Sequence, residues 1–469
     1  MSKYVVWMMA AGLVACTTEE PTLSTTEDLV QYHSSSGFIP NKLPIPNASG
    51  WATTISTEGR IDLGNEFFQD LGTNGRRCVT CHLPTAGWGI TPEQVQLTFA
   101  LTNGGTINDG LGLGAIFRLN DGANSPNADV STQTKRRKAY SMLLNHGLIR
   151  VGMPMPANAD FELIAVDDPY GFASAAELSF FRRPLPSTNL KFLSAVMWDG
   201  RETFAGQSIH FDLSQQSTDA TTGHAQGEAL TDAQRESIVN FEVALHTAQE
   251  YDRDAGNLST AGAQGGTEAV IDQVFYIGIN DLFGDSQTHM PFDPVVFDIY
   301  DAWNNSSKRE RAAVARGQRL FNTKAINISG VSGINDEAIF GTPANVVGTC
   351  TTCHDSPNAG DHSTAVPLDI GLVAASRRTI DMPLYTFREK STGAIKKVTD
   401  AGRAMVTGKF KDIGRFKGPI LRGLAARAPY FHDGSAATLE EAVEFYNVRF
   451  NIGLTSREKS DLAAFLRTL

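Results

Sequence analysis

Residues 76–84, RRCVTCHLP, and residues 349–357, TCTTCHDSP, carry the same Cys-x-x-Cys-His arrangement. Cys78, Cys81 and His82 form the first copy, and Cys350, Cys353 and His354 the second. The chain has five cysteines, so only Cys16 stands outside the repeat. Each copy constrains the fold, because each needs its own scaffold to present it. Two cysteines this close make a strained structural disulfide. A thioredoxin-type pair would need an adjacent βαβ pattern, and none is visible. A zinc site would gather both pairs into one compact unit, yet they lie in distant halves of a 469-residue chain.

Covalent haem c attachment accounts for the pattern. Two thioethers fix the porphyrin edge, and the adjacent histidine turns in to the iron. His82 and His354 are then the proximal iron ligands, and the chain is expected to carry two covalent haem c groups.

The N-terminus agrees with the export that such attachment requires. MSKYVVWMMAAGLVAC has one early cation, Lys3, and then an apolar run ending at Ala15. That run is shorter than the roughly 20 residues a membrane-spanning helix needs, and it reads as a signal peptide over residues 1–15. Leu13-Val14-Ala15-Cys16 resembles a bacterial lipobox, which makes Cys16 the expected lipid-bearing residue. Thr17 stands where an inner-membrane retention Asp would sit, so the expected location is the periplasmic side, lipid-anchored, with the outer membrane favoured. Residues 16–50 are rich in Thr, Ser, Glu and Pro and read as a flexible tether. The formal net charge of −11 speaks against nucleic acid as a partner.

From Trp51 the composition is globular. Thr57-Glu58-Gly59-Arg60 opens a stretch with Ile61, Phe67, Phe68 and Leu71 on one helical face, leading into the first motif. Ser307-Lys308-Arg309-Glu310 reads as a capping box before a helix that leads toward the second. Capping boxes at Thr231 and Thr455 begin the closing helices of the two halves, with Ile238, Phe241 and Leu245, and then Leu462, Phe465 and Leu469, inward. The expected fold is therefore mainly α: two cytochrome c-like haem domains, 51–304 and 305–469, with long irregular loops at 100–130 and 254–300.

Four longer segments resemble the bacterial di-haem cytochrome c peroxidase and MauG family. They are LGNEFFQDLGTNGRRCVTCHLPTAGW around the first motif, FFRRPLPSTNLKFLSAVMWDGRET with its WDGR, IVNFEVALHTAQEYD, and GRFKGPILRGLAARAPYFHDGSAATLEEAVEFY. The resemblance covers most of residues 51–469, and Pro429–Ser435, PYFHDGS, is its most specific part. It implies that hydrogen peroxide is reduced at the N-terminal haem, with electrons relayed by the C-terminal haem from a small cytochrome c or cupredoxin. It also implies a calcium ion between the domains and a homodimer as possibilities of the family.

The family's peroxide pocket has a Gln two residues before the WDGR Trp and a Glu ten residues after that Gln. Val196 and Gly206 fill those places here. Glu202, Gln207 and His224 are the alternative catalytic groups, with His210 behind them, because peroxide cleavage needs a proton moved between the two oxygens. A solvated charge, a loop contact and a structural histidine are the competing readings of the first three. Arg201 and Arg422 are expected to support haem propionates or to hold the domain together, as is Asp199. His432 and Asp433 belong to the signature near the second haem.

Where the peroxidases place a ligating Met after HDG, this chain has Tyr446. Thr438 caps the helix, so Leu439, Val443 and Tyr446 share one face. Tyr446 is either a core tyrosine or the second iron's sixth ligand, as in the MauG branch, with Met405 as the alternative ligand. His146, followed by Met153 and Met155, is the expected distal group of the first haem, and Trp88 the expected inter-haem tryptophan. Two further readings of the whole chain stay open: a MauG-like peroxide-dependent oxidase of a partner protein, and a non-catalytic di-haem electron-transfer lipoprotein.

Overall fold

The computed structural model describes residues 37–107, 112–379 and 381–469. The signal peptide, Cys16 and most of the predicted tether lie outside these residues. The tether's last part does not stay irregular: Phe38–Pro40 pairs with Arg60–Asp62, and Ile45–Asn47 pairs with Gly50–Ser56.

Among the described residues helix exceeds strand, 32% against 16%. Strands are nevertheless more numerous than the sequence suggested, forming five small antiparallel sheets among the described residues. The helix expected before the first motif is absent. Gly59 sits at a φ of 86°, which turns the chain between two strands. The Asp62 side chain then accepts from Gly64 N, and the Asn65 side chain accepts from Phe67 N. These local bonds compete with a helical ladder and leave only a short 3-10 turn, Glu66–Phe68. Phe67 and Phe68 are still buried, in an aromatic cluster with Trp88 and Phe241 beneath Cys78.

The other helices form where their caps predicted. Thr231 and Thr455 each accept from the N–H three residues on and in return donate their own backbone N–H to the Gln234 and Glu458 side-chain oxygens. They begin Asp232–Val243 and Ser456–Arg467. Arg309–Thr323 forms too, but without the side-chain cap expected at its start. It crosses the closing helix so tightly that a Cβ on Gly317 would lie 2.0 Å from the Asp461 carbonyl oxygen. Arg316 fastens the crossing by two bonds of 2.8 Å to the Asp461 carboxylate.

The two halves interpenetrate. Strand Phe161–Asp167 pairs with Leu384–Glu389, and one core joins Phe161 and Phe180 to Tyr385, Phe387 and Phe416. At the WDGR turn, Arg182 is buried between Asp199, at 2.6 Å, and Asp400, at 2.7 Å. Burial pushes the Asp199 carboxyl up, but the Arg182 and Arg201 guanidiniums outweigh it and hold it below the usual range. Arg403 adds bonds to the Asp199 and Gly200 carbonyls. Removing one member of such a buried ion cluster leaves an uncompensated charge, which typically costs about 3–5 kcal/mol.

Candidate functional site

The two motifs fold alike. In each, the N–H of the second cysteine and of the histidine converge on the first cysteine's carbonyl: 3.2 and 3.1 Å at Cys78, 3.3 and 3.2 Å at Cys350. In each, a threonine hydroxyl caps the turn, Thr80 toward Arg77 N and Thr352 toward Thr349 N. In each, the histidine Nδ1 meets a carbonyl six residues on: His82 to Trp88 at 3.2 Å, His354 to Gly360 at 2.6 Å. A carbonyl only accepts, so Nδ1 carries the proton and Nε2 keeps its lone pair. Burial lowers the pKa of His82 to about 4 and lowers that of His354, which favours the neutral imidazole at both. This is the state, with the backbone partner, that a metal-ligating histidine needs.

Each motif opens into its own cavity, and the two have nearly equal empty volumes, about 1,570 and 1,540 Å³ with solvent at their mouths included. Cys78, Cys81 and His82 line the first, and Cys350, Cys353 and His354 the second. No disulfide joins any of these four cysteines. Paired thiols, a neutral imidazole and a mostly apolar lining together fit covalent haem at both places.

The predicted site residues divide. His224 lines the first cavity and lies near enough to His82 to help lower its pKa, after burial. Arg201 lines it too, bonded to Asp199 at 3.2 Å. Glu202 is buried beside the cavity without lining it, with Arg201 at 3.8 Å. Burial first, and then the Asp219 carboxylate, push the Glu202 carboxyl up to about 7. Gln207 is exposed and reaches neither cavity, so its placement in the pocket is corrected: the loop ahead of the Ile209–His224 helix holds it at the surface. His210 is likewise outside, paired with Glu236.

Arg422 is also corrected as a propionate support. It lines neither cavity; fully buried, it donates to the Asn358 and Gly266 carbonyls and ties loops together, in keeping with the other role expected of it. His146 sits at neither cavity, and its Nδ1 meets the Gly434 carbonyl at 3.2 Å. Trp88 is buried under the first motif and lines neither cavity, whereas Trp198 of WDGR lines both. Tyr446 lines the second cavity, while Met405, Met153 and Met155 pack in a different core. His432 lines the second cavity, stacked on Phe416 at 4.1 Å.

Gln216, Glu242 and Lys417 are among the lining groups not singled out in the sequence. Gln216 is two helical turns before His224, so the 3.6-residue period places both on one face. Glu242 follows Ile238 by four residues, which puts a carboxyl on the buried face of its helix; its Oε2 has no hydrogen-bond partner, and burial raises its pKa to about 7. Lys417 had no periodic signal at all. Among the described residues, no group of three or more His, Cys, Asp or Glu is placed to hold a metal ion, and no helix is long and apolar enough to cross a membrane.

No family model matches the chain. It is similar to cytochrome-c peroxidase IdrP2 of Denitromonas iodatirespirans, 31% identical over 132 residues, which are 26% of this chain and 36% of that protein. Cytochrome c551 peroxidase of Nitrosomonas europaea is 36% identical over 121 residues, 26% of this chain and 30% of that one. Cytochrome-c peroxidase IdrP1 of Pseudomonas sp. (strain SCT) is 32% identical over 200 residues, 38% and 44%. The matches thus span under half the length of each relative. A crystal structure of a MauG-like protein associated with microbial copper homeostasis superposes with a TM-score of 0.39 at 15% identity, covering 93% of this chain and 94% of that one.

Proposed function

We propose, on the premise that this chain belongs to the di-haem cytochrome c peroxidase and MauG family, that it binds two covalent haem c groups and reduces hydrogen peroxide at the N-terminal one. Haem iron, when bound, supplies the open coordination position and the electrons for cleaving the O–O bond. The observation that carries the reading is the duplicated geometry: two like cavities, each with paired thiols and a neutral histidine oriented through a backbone carbonyl.

The chain's own groups divide the remaining work. His82 Nε2 and His354 Nε2 would hold iron. Reduction of one peroxide consumes two electrons and two protons and yields two waters. His224 is suited to accept the peroxide proton and return it to the departing oxygen, with Gln216 on the same helix face orienting the substrate. Glu202, with a carboxyl titrating near 7 beside Arg201, is suited to supply protons from the Asp219 side. Trp198, lining both cavities, is suited to carry the electron from the C-terminal side. The donor is a small cytochrome c or cupredoxin, and Cys16 anchors the protein by lipid on the periplasmic side, with the outer membrane favoured.

One observation favours a second reading. Tyr446 lines the second cavity while Met405 is packed elsewhere, which suits a MauG-like oxidase acting on a partner protein. Purified holoprotein mixed with a reduced small cytochrome c and peroxide decides between them. Donor oxidation that requires peroxide, and that His224→Ala slows at least tenfold, supports the peroxidase. Absence of donor oxidation, with peroxide still changing the haem spectrum, favours the oxidase. Two haems that never change with peroxide would leave only the electron-transfer reading.

A further inference from the structure

Lys417 lies in FKGPILRG, between the two cavities, and lines both. Its residue is only 8% exposed, and its backbone N–H is fixed to the Trp198 carbonyl at 2.9 Å. The ammonium has three N–H donors. One goes to the Ala195 carbonyl at 2.8 Å, its single hydrogen bond among the described residues. No hydrogen bond joins it to Asp361, the carboxylate whose charge it feels.

The neighbouring cations are differently placed. Arg182 is matched by Asp199 and Asp400, and Arg201 by Asp199. Arg183 spends its donors on the carbonyls of His146, Ile90 and Arg427. Lys417 is therefore a buried cation at the seam with donors to spare and no bonded anion. Burying an ammonium in that state is costly unless an anion meets it. The group expected in each cavity brings carboxylates of its own, the haem propionates.

We propose that Lys417 is a shared cationic anchor for the propionates of both haems and a positioning residue that sets both potentials together. The proposal rests on the two-haem reading above. A positive charge at the seam disfavours oxidised iron on either side, because the oxidised centre carries the extra positive charge. Its removal should move both haems in one direction.

The test uses the holoprotein. Lys417→Met keeps the stem and removes the charge, and Lys417→Arg keeps the charge. Intact mass counts haems, and a spectroelectrochemical titration follows each haem separately. The expected result is two haems in every form, both midpoints shifted negative in Lys417→Met, and both near the parent values in Lys417→Arg. Two attached haems with neither midpoint moved, or with only one moved, would overturn the anchor. If Lys417→Met does not accumulate, Lys417→Arg decides: retained midpoints support the proposal, and a shift at either haem despite the retained charge overturns it. A parent carrying fewer than two haems would instead overturn the reading beneath it, and mass alone distinguishes the two failures.

Discussion

At the residue scale, Tyr446 carries the sharpest choice. Its helix was legible: Thr438 accepts from Glu441 N, and Leu439 and Val443 are buried along the same face. The ring is directed into the second cavity, among Phe431, Phe445 and Phe450. If its oxygen binds the second iron, Tyr446→Phe changes the oxidised spectrum of that haem, and Tyr446→Met raises its potential, because a soft neutral sulfur favours reduced iron. An unchanged spectrum in the Phe variant would return Tyr446 to a packing role. Glu202 gives a prediction in pH. Its folded pKa, about 7, is raised from the ordinary 4.5, so the folded state holds a proton that the unfolded state releases. The stability it contributes is complete below pH 4.5 and declines as pH rises from there through about 7. Glu202→Gln should therefore flatten the fall of the thermal midpoint between pH 5 and 8. A fall of unchanged steepness would show that Glu202 does not titrate in that window.

Elements were legible where a cap and a helical period coincided. The boxes at Thr231 and Thr455 located two helices to within a residue, because reciprocal bonds between side chain and backbone are local and context changes them little. Phe67 and Phe68 were correctly placed in a core and wrongly placed on a helix. Their spacing satisfies a helical face, but glycine and Asx turns broke the ladder first. Gln216 was readable and missed, since the face of His224 predicts it. Lys417 and the lining of both cavities by Trp198 were not readable, because they depend on how two distant segments meet. The crossing of Arg309–Thr323 with Ser456–Arg467 shows what such a meeting demands. Leu462 and Leu466 of the second helix also line the second cavity. Gly317→Ala would force the helices apart against a backbone carbonyl, and overpacking of this kind costs about 1–3 kcal/mol. A lowered unfolding midpoint with a perturbed second-haem spectrum is the expected result. An unshifted midpoint would mean that the crossing relaxes freely. Thr455→Ala, losing only a cap, should cost about 1 kcal/mol and leave that spectrum alone.

At the scale of the whole molecule, the sequence suggested two sequential haem domains, and the structure describes halves that share their walls. Lys417, Pro419 and Ile420, from beyond the second motif, line the first cavity, and Trp198, from before it, lines the second. The sheet joining residues 161–167 to 384–389 and the Arg182 cluster with Asp199 and Asp400 bind the same two halves. Such sharing predicts that the two sites do not unfold independently. On the two-haem reading, replacing Cys78 and Cys81 by Ala would remove the thioethers of the first site alone, so intact mass should fall by one haem. The remaining haem keeps its own thioethers and histidine, yet it loses a filled neighbour across a shared wall. Its absorption should therefore melt at a lower temperature than in the parent. Replacing Cys350 and Cys353 by Ala should produce the mirrored result, one haem lost and the first melting earlier. Two independent domains would behave otherwise: each single-haem variant would keep the parental melting temperature at the site that remains. Equal melting of the surviving haem in both variants and the parent would thus separate the halves, and it would deprive Trp198 and Lys417 of the structural reason for acting between them.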